Sequence, residues 1–582
     1  MSRPPHEEQH RQAAMNAWSS LVNTRLYGHH VPTDMAISSL RAADTELYAM
    51  QECFAAARKQ RNFLIGACKL PVELLGYIFQ LLRVTWKPAR WKMTPSGKAG
   101  VTGDWDSTTR YTSGWISVTH VCSIWRQVSV NNPTLWRDID CRYIHPRCID
   151  TILIRSKAQP LRLNMHLHLD VFDQRDHGSE VRLREPICTR LDVLTLTIVS
   201  YGSEPTDPLA LALPNLSELT LSLVEPEKYP SAKAFTSQYP PKLRRLDITD
   251  YVPQVASTLL AHSLTSLKLR RTHDIAHEHL LTVSRLSRIL LRLPNLQTIG
   301  LANVLKLGTR DHALQPFTVS SCLKQISIVS REYEAVATLI GRAVLPPSTS
   351  VTVNALNCEL PDTALRIAEV MFRESIVDRT QTQEIVLARN IARLFPWHSS
   401  NSLPRGESFL PGMPEVTIDT RSRGYRVLRL TAPDEDVQSS SIEDVVAYLP
   451  LSSATAIAFA SEFEFVTSAA SWISTFSAAR NVLHIYLSSS FELDLLCAAL
   501  EERSENQEFV LFPHLETITL DSWDMRACPH PHPGMVALAS SLICRSDGGS
   551  PIREVRAKKS SESWMGEEWD RIRGLVELSF MK

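Results

Sequence analysis

The first part of the chain is written at helical spacing. Leu40, Ala43, Leu47, Met50, Phe54, Ala57 and Leu64 follow one another at intervals that sum threes and fours, with Arg61 on the same seam. This predicts one amphipathic helix over residues 34–68, with Thr33 or Asp34 as its N-cap. About three and a half heptads reach the length at which a coiled coil becomes an option. Alanine at several seam positions and Arg61 weaken a dimer interface, so packing within the chain is the stronger expectation. Residues 1–33 carry few large apolar side chains and no period, which predicts a disordered or loosely attached start.

Two further helical blocks follow. Leu70-Pro71-Val72-Glu73-Leu74-Leu75-Gly76-Tyr77-Ile78-Phe79 places proline where a helix begins, at a position whose N–H would be unpaired anyway. Leu74, Leu75, Ile78, Leu81 and Leu82 then give one apolar face. Val118, Val121, Cys122, Trp125 and Val128 predict a second helix, and Pro133-Thr134-Leu135-Trp136 a short third turn with two large anchors. Residues 85–114, rich in Trp, Thr, Gly and Lys, read as a long loop between the first two helices. In this order the three blocks resemble the F-box, in the form found in F-box proteins of mushroom-forming fungi. The resemblance covers residues 69–140, with 85–114 as an insertion. It implies docking to a Skp1-like adaptor and, through it, to a cullin-RING ubiquitin ligase. The implied adaptor-facing or supporting residues are Leu70, Pro71, Leu74, Leu75, Ile78 and Phe79 from the first block. Val118, Val121, Cys122, Trp125, Leu135 and Trp136 come from the later ones. Three short helices bury only a small core, so such a unit leans on a partner or a neighbouring domain.

From Leu161 the period changes to two. Apolar and polar residues alternate to Leu169 and again over residues 190–198, as in half-buried strands. A phrase then recurs, first as Pro214-Asn215-Leu216-Ser217-Glu218-Leu219-Thr220-Leu221. Further copies begin at Pro241, His262, Pro294 and Ser321, and a distant one at Pro513. Their first leucines, Leu216, Leu243, Leu264, Leu296 and Leu323, are 27, 21, 32 and 27 residues apart. The first leucine anchors the turn into a strand. The next two, two apart, point to one side and stack on their equivalents in neighbouring copies. The phrase resembles the leucine-rich repeat, without the Asn/Cys-x-Leu tail of its consensus. Residues 276–293 have helical spacing and would cover the convex side. Downstream, strands are expected at 350–356, 424–430, 454–459, 482–487 and 552–556, and helices at 362–373, 382–394 and 491–503. Residues 396–414 and 432–441 read as surface loops, and 561–578 as a final capping helix. The expected fold is α/β: an N-terminal helix and a three-helix F-box, then an irregular leucine-rich-repeat-like solenoid, or horseshoe, over residues 144–582.

Charge narrows the choice of partners. The 582 residues hold 62 Lys and Arg against 62 Asp and Glu, so no net field draws nucleic acid or anionic lipid, and neither is expected as a partner. The eleven cysteines are scattered, without a Cys-x-x-Cys pair, as suits reduced thiols in the cytoplasm or nucleus. The polar opening lacks a signal-peptide core. Residues 445–460 are too short for a span and are broken by Pro450, so buried soluble structure is expected there. No phosphate loop, Gly-x-Ser-x-Gly elbow or His-Glu-x-x-His is present. Cys528, His530 and His532 alternate with prolines that fan them apart, and His273, His277 and His279 lack further ligands, so no metal or cofactor is expected. The functional expectation is a non-enzymatic substrate-recognition subunit of an SCF-type ligase. Its target, not identified by the sequence, would lie on the concave strand face. The alternative is a repeat scaffold whose F-box-like unit assembles no ligase.

Overall fold

The computed structural model describes residues 5–27, 36–93, 99–100, 109–168, 185–199, 212–224, 240–272, 280–356, 361–372, 383–388, 391–396, 425–431, 445–459, 468–487, 493–520, 533–559 and 566–581. The chain divides into two compact units, one holding everything up to Arg162 and the other nearly all of the rest. Helix α5 (Pro146–Arg155) belongs to the first unit.

The first unit begins with helix where disorder was expected. Helix α1 spans Pro5–Val22, and its Trp18 ring lies 5.8 Å from Phe54 of α2 (Ala36–Phe63). Alanines, glutamines and glutamates give α1 helix propensity even though it lacks a large apolar face. Helix α2 ends before residue 68, and its expected caps, Thr33 and Asp34, lie outside the described residues. Along its seam Leu40, Leu47 and Phe54 are exposed, Ala43 and Met50 are half-buried, and Leu64 lies beyond the end of the helix.

The three helical blocks form helix α3 (Val72–Thr85), helix α4 (Ser123–Asn131) and a 3-10 turn (Pro133–Trp136). The second block is not one helix. A 3-10 segment, Gly114–His120, is separated from α4 by Cys122, whose backbone is fully extended (φ −158°, ψ 171°). That break turns Val121 outward while Val118 stays buried. Residues 85–114 are more than a loop. Strand β1 (Ala89–Met93) pairs antiparallel with β2 (Ala99–Gly100) and β3 (Thr109–Thr112), with Trp91 opposite Arg110. Thr, Tyr and Trp favour such a ribbon. Its base is fixed: the Trp115 N–H donates to the Trp86 carbonyl at 2.7 Å. Gly114 beside it holds φ +51°, where a Cβ would come within 2.5 Å of the Lys87 carbonyl carbon. Strand β4 (Asp138–Asp140) follows the third turn, and β5 (Leu161–His168) leads out of the unit.

The second unit is a strand ladder. Strands β6 (Leu191–Val199), β7 (Glu218–Val224), β8 (Arg245–Thr249) and β9 (Ser266–Arg270) pair in parallel and in order. Two-residue strands β10 (Leu281–Thr282) and β12 (Leu305–Lys306) pair with each other, as do β13 (Phe317–Thr318) and β15 (Ala343–Val344). The ladder continues in parallel through β11 (Thr298–Ala302), β14 (Gln325–Ser330) and β16 (Ser350–Leu356) to β19 (Arg426–Thr431). There it inverts. Strands β17 (Gln383–Ala388) and β18 (Ile391–Pro396) form a tight antiparallel hairpin, and β18 pairs antiparallel with β19. Parallel order resumes from β17 through β20 (Ala454–Phe459), β21 (His484–Leu487), β22 (Thr517–Leu520), β23 (Glu554–Lys558) and β24 (Glu577–Met581).

The recurring leucines stack as their spacing requires. Leu219, Leu246, Leu267, Ile299, Ile326 and Val351 form one buried row, and Leu221, Ile248, Leu269, Leu301, Ile328 and Val353 the next. The first leucines of the phrase are buried beneath the turns. Two expectations fail here. Residues 382–394 make the β17–β18 hairpin instead of a helix, since only two residues separate two short apolar runs that suit paired strands. Residues 561–578 do not form one helix: the last helix ends at Arg573, and after Gly574 the chain adds β24 to the ladder. The expected loops at 396–414 and 432–441, and the His273 and Cys528 groups, fall outside the described residues apart from Pro396.

Helices connect the strands: the single turn α6 (Glu185–Cys188), then α7 (Val283–Leu291), α8 (Tyr333–Arg342), α9 (Pro361–Phe372), α10 (Ala469–Phe476), α11 (Leu493–Glu501), α12 (Pro533–Asp547) and α13 (Gly566–Arg573). Two buried charges hold this layer. Asp311 accepts hydrogen bonds from the backbone N–H groups of Val283 and Ser284 (both 2.9 Å) and Gly308 (2.7 Å), which caps α7. Burial works to raise its carboxyl pKa, but these N–H groups together hold it below its ordinary value. Arg545 of α12 donates to the carbonyls of Leu500 and Leu511 (3.3 Å each) and Phe512 (2.7 Å), and its guanidinium lies 4.5 Å from the Phe509 ring centroid. Burial pulls its pKa down to about 10.

Candidate docking surface

Helix α3 has two apolar faces. Leu75 and Phe79, one turn apart, are completely buried. Phe79 packs on Trp125 of α4 with ring centroids 5.2 Å apart. The Trp125 indole N–H is enclosed without a hydrogen-bond partner among the described residues. Beneath, Trp115 and Trp136 lie 4.9 Å apart, and Trp136 donates to the Ser129 carbonyl at 2.8 Å. Arg155 of α5 stacks 4.6 Å from the Trp136 ring, and burial lowers its pKa. At the far end of α3, Arg83 bridges Asp138 at 2.6 Å and donates to the Thr134 carbonyl at 3.0 Å. Asn132 caps the third turn by accepting from Thr134. Together these contacts fix the rotation of α3 about its axis.

That rotation aims the second face at solvent. Leu74 is 50 % exposed, Tyr77 60 %, Ile78 37 % and Leu81 52 %, with Val84 continuing the line. At about 100° per residue these five fall in an arc of about 120°. Adding the buried face makes more than half the circumference apolar, which a helix packed on one side does not need. Val121, 57 % exposed, offers another apolar side chain at the break before α4.

The residues named from the sequence therefore divide. Leu75, Phe79, Val118, Leu135 and Trp136 are core. Leu74, Ile78, Val121 and Pro71 face outward, while Leu70, Cys122 and Trp125 are half-buried between the two sets. Pro71 sits at the N-cap rather than inside the first turn. Tyr77 and Val84 belong to the exposed stripe and were missed. The signal for them was present, since they lie three and ten positions after Leu74 on the same helical period.

The ladder of the second unit presents a different surface. Its alternate positions carry Thr220, Asp247, Lys268, Gly300 and Ser327 in register across successive strands. Ion pairs cross the rungs, Arg245 with Glu218 at 2.8 Å and Arg270 with Asp247 at 2.6 Å. Two pairs of charges on this face thus neutralise each other. Among the described residues no group of three or more His, Cys, Asp or Glu could hold a metal ion, and no helix is long and apolar enough to cross a membrane.

No family model matches the chain, and no curated protein matches it. Among solved structures, a leucine-rich repeat-containing protein, LegL7 from Legionella pneumophila, is similar at 14 % sequence identity and a TM-score of 0.23. The match covers 58 % of this chain and 91 % of that one. At that score the likeness carries no argument. The repeat character of the second unit rests on its own registers.

Proposed function

We propose that this chain is the substrate-recognition subunit of an SCF-type cullin-RING ubiquitin ligase. Its first unit would dock a Skp1-like adaptor and its strand ladder would hold a target protein. The observation that carries the reading is the exposed stripe Leu74, Tyr77, Ile78, Leu81 on a helix whose other face is already fully packed. The stripe lies within the block that resembles the start of an F-box, and Val121 lies within the second. Large apolar side chains on a rigid helix are what a partner's groove takes up. Such a subunit makes no bonds itself. It raises the concentration of bound target beside the ligase's catalytic partner, and it works in the cytoplasm or nucleus where that machinery resides.

Co-expression with a Skp1-like adaptor tests this. The wild type should retain the adaptor through purification, and the double substitution Leu74→Asp, Ile78→Asp should release it with an unchanged circular dichroism spectrum. Equal retention by both would refute the surface. Adaptor retained without cullin and RING subunits would favour the scaffold alternative.

A further inference from the structure

We infer that Cys68 and Cys122 form a modification site: a contacting thiol pair that a peroxide-class oxidant converts to an intrachain disulfide. Their sulfurs lie 3.8 Å apart although the residues are 54 positions apart in sequence. Cys68 is buried, in the 3-10 turn Gly66–Lys69 just before α3, and Cys122 is half-buried, in the extended link just before α4. An S–S bond of about 2.05 Å requires the sulfurs to approach by a little under 2 Å. Neither segment is regular α-helix. Gly66, which begins the turn, has no atom within 4 Å of where a Cβ would stand, so the turn has room to shift. Burial, and then the neighbouring Cys122 sulfur, raise the pKa of Cys68. That makes Cys68 the poorer first target and leaves the more accessible Cys122 to meet the oxidant.

The chemistry balances in two steps. The Cys122 sulfur attacks one peroxide oxygen, the O–O bond breaks, and a sulfenic acid and one water form. The Cys68 sulfur then attacks the Cys122 sulfur. The S–S bond forms, the S–O bond breaks, and a second water leaves with the Cys68 proton. Two thiols lose two electrons to one peroxide. The product ties the entry to α3 to the entry to α4 and encloses α3 and the β1–β3 ribbon in one loop.

The test uses the full chain carrying Cys53→Ser, Cys148→Ser and Cys322→Ser, which removes the exposed competing thiols among the described residues. After hydrogen peroxide treatment and alkylation, peptide mass mapping should find Cys68 linked to Cys122, reversible by dithiothreitol. Yield should be at least about tenfold higher in buffer than in urea, because folding supplies the proximity. Cys68→Ser and Cys122→Ser should each abolish the link, with circular dichroism confirming that both fold. Cys122 oxidised to a sulfinic acid beside an alkylatable Cys68, or equal linkage in buffer and urea, would overturn the assignment.

Discussion

Alanine replacements on the two faces of α3 should separate folding from docking. Leu75 and Phe79 are fully buried. Truncating either removes transfer free energy and leaves a cavity, about 2–5 kcal/mol for Leu75→Ala and about 3–5 kcal/mol for Phe79→Ala. Leu74 and Ile78 keep roughly a third to a half of their surface in water. Their alanine variants should change the stability of the free chain by under about 1 kcal/mol, since they already lack the contacts that the buried pair makes. On docking, the remaining exposed part of each side chain would be covered. With about 2 kcal/mol for full burial of such a side chain, that is about 1 kcal/mol per residue, or roughly fivefold in Kd. Leu74, Ile78, Leu81 and Val121 together would then account for about 4 kcal/mol, close to a thousandfold. Urea unfolding followed by tryptophan fluorescence reads the first quantity, and calorimetric titration with a Skp1-like adaptor reads the second. Leu74→Ala and Ile78→Ala lowering the unfolding midpoint as far as Leu75→Ala does would refute the division into two faces. Adaptor affinity left unchanged by them, in a complex that does form, would overturn the docking role of the exposed face.

Other residues offer sharper single tests. Asp311→Asn removes a charged cap from α7 and should cost about 1–2 kcal/mol, seen as faster amide exchange over Val283–Leu291. The wild-type carboxyl titrates below its unfolded value, so its stabilisation is complete above about pH 4 and is lost as pH falls through the folded value. The variant should lack that acid-side loss. Arg545→Leu removes the guanidinium donor from the Leu500, Leu511 and Phe512 carbonyls, of which Phe512 keeps the Leu515 N–H, and should destabilise the end of the ladder by about 2–4 kcal/mol, detected by proteolysis near α11 and α12. Gly114→Ala forces a left-handed backbone and a clash with Lys87, and should weaken the first unit by about 2–4 kcal/mol in a thermal melt.

The ladder was readable because a strand's period is two and each repeated leucine had to face the same way. Leu219, Leu246 and Leu267 fall into one row, as their positions in the phrase require. The α3 stripe was readable as apolar, but periodicity cannot tell which of two apolar faces a neighbouring helix will cover; the Phe79–Trp125 contact decides that. The break at Cys122 was hidden because residues 118–128 have helical spacing throughout. Only tertiary packing requires Val118 and Trp125 to enter the core from different segments. Residues 382–394 misled for a related reason. Ile385, Val386 and Leu387 suit either a buried helix or a strand, and the two-residue link that forces a hairpin has no strong turn signature.

The clasp formed by Trp86, Gly114 and Trp115 has a consequence for how this unit tolerates change. It closes the insertion at its root, and the pairing of Ala89–Lys92 with Thr109–Thr112 holds the two ends of the insertion together. Lengthening a loop whose ends are already held together costs only a slowly growing closure entropy. Chain can therefore be gained or lost there without re-aiming Leu74 and Ile78. The same site is where a fluorescent label or an affinity peptide can be grafted while the helix pair keeps its pitch.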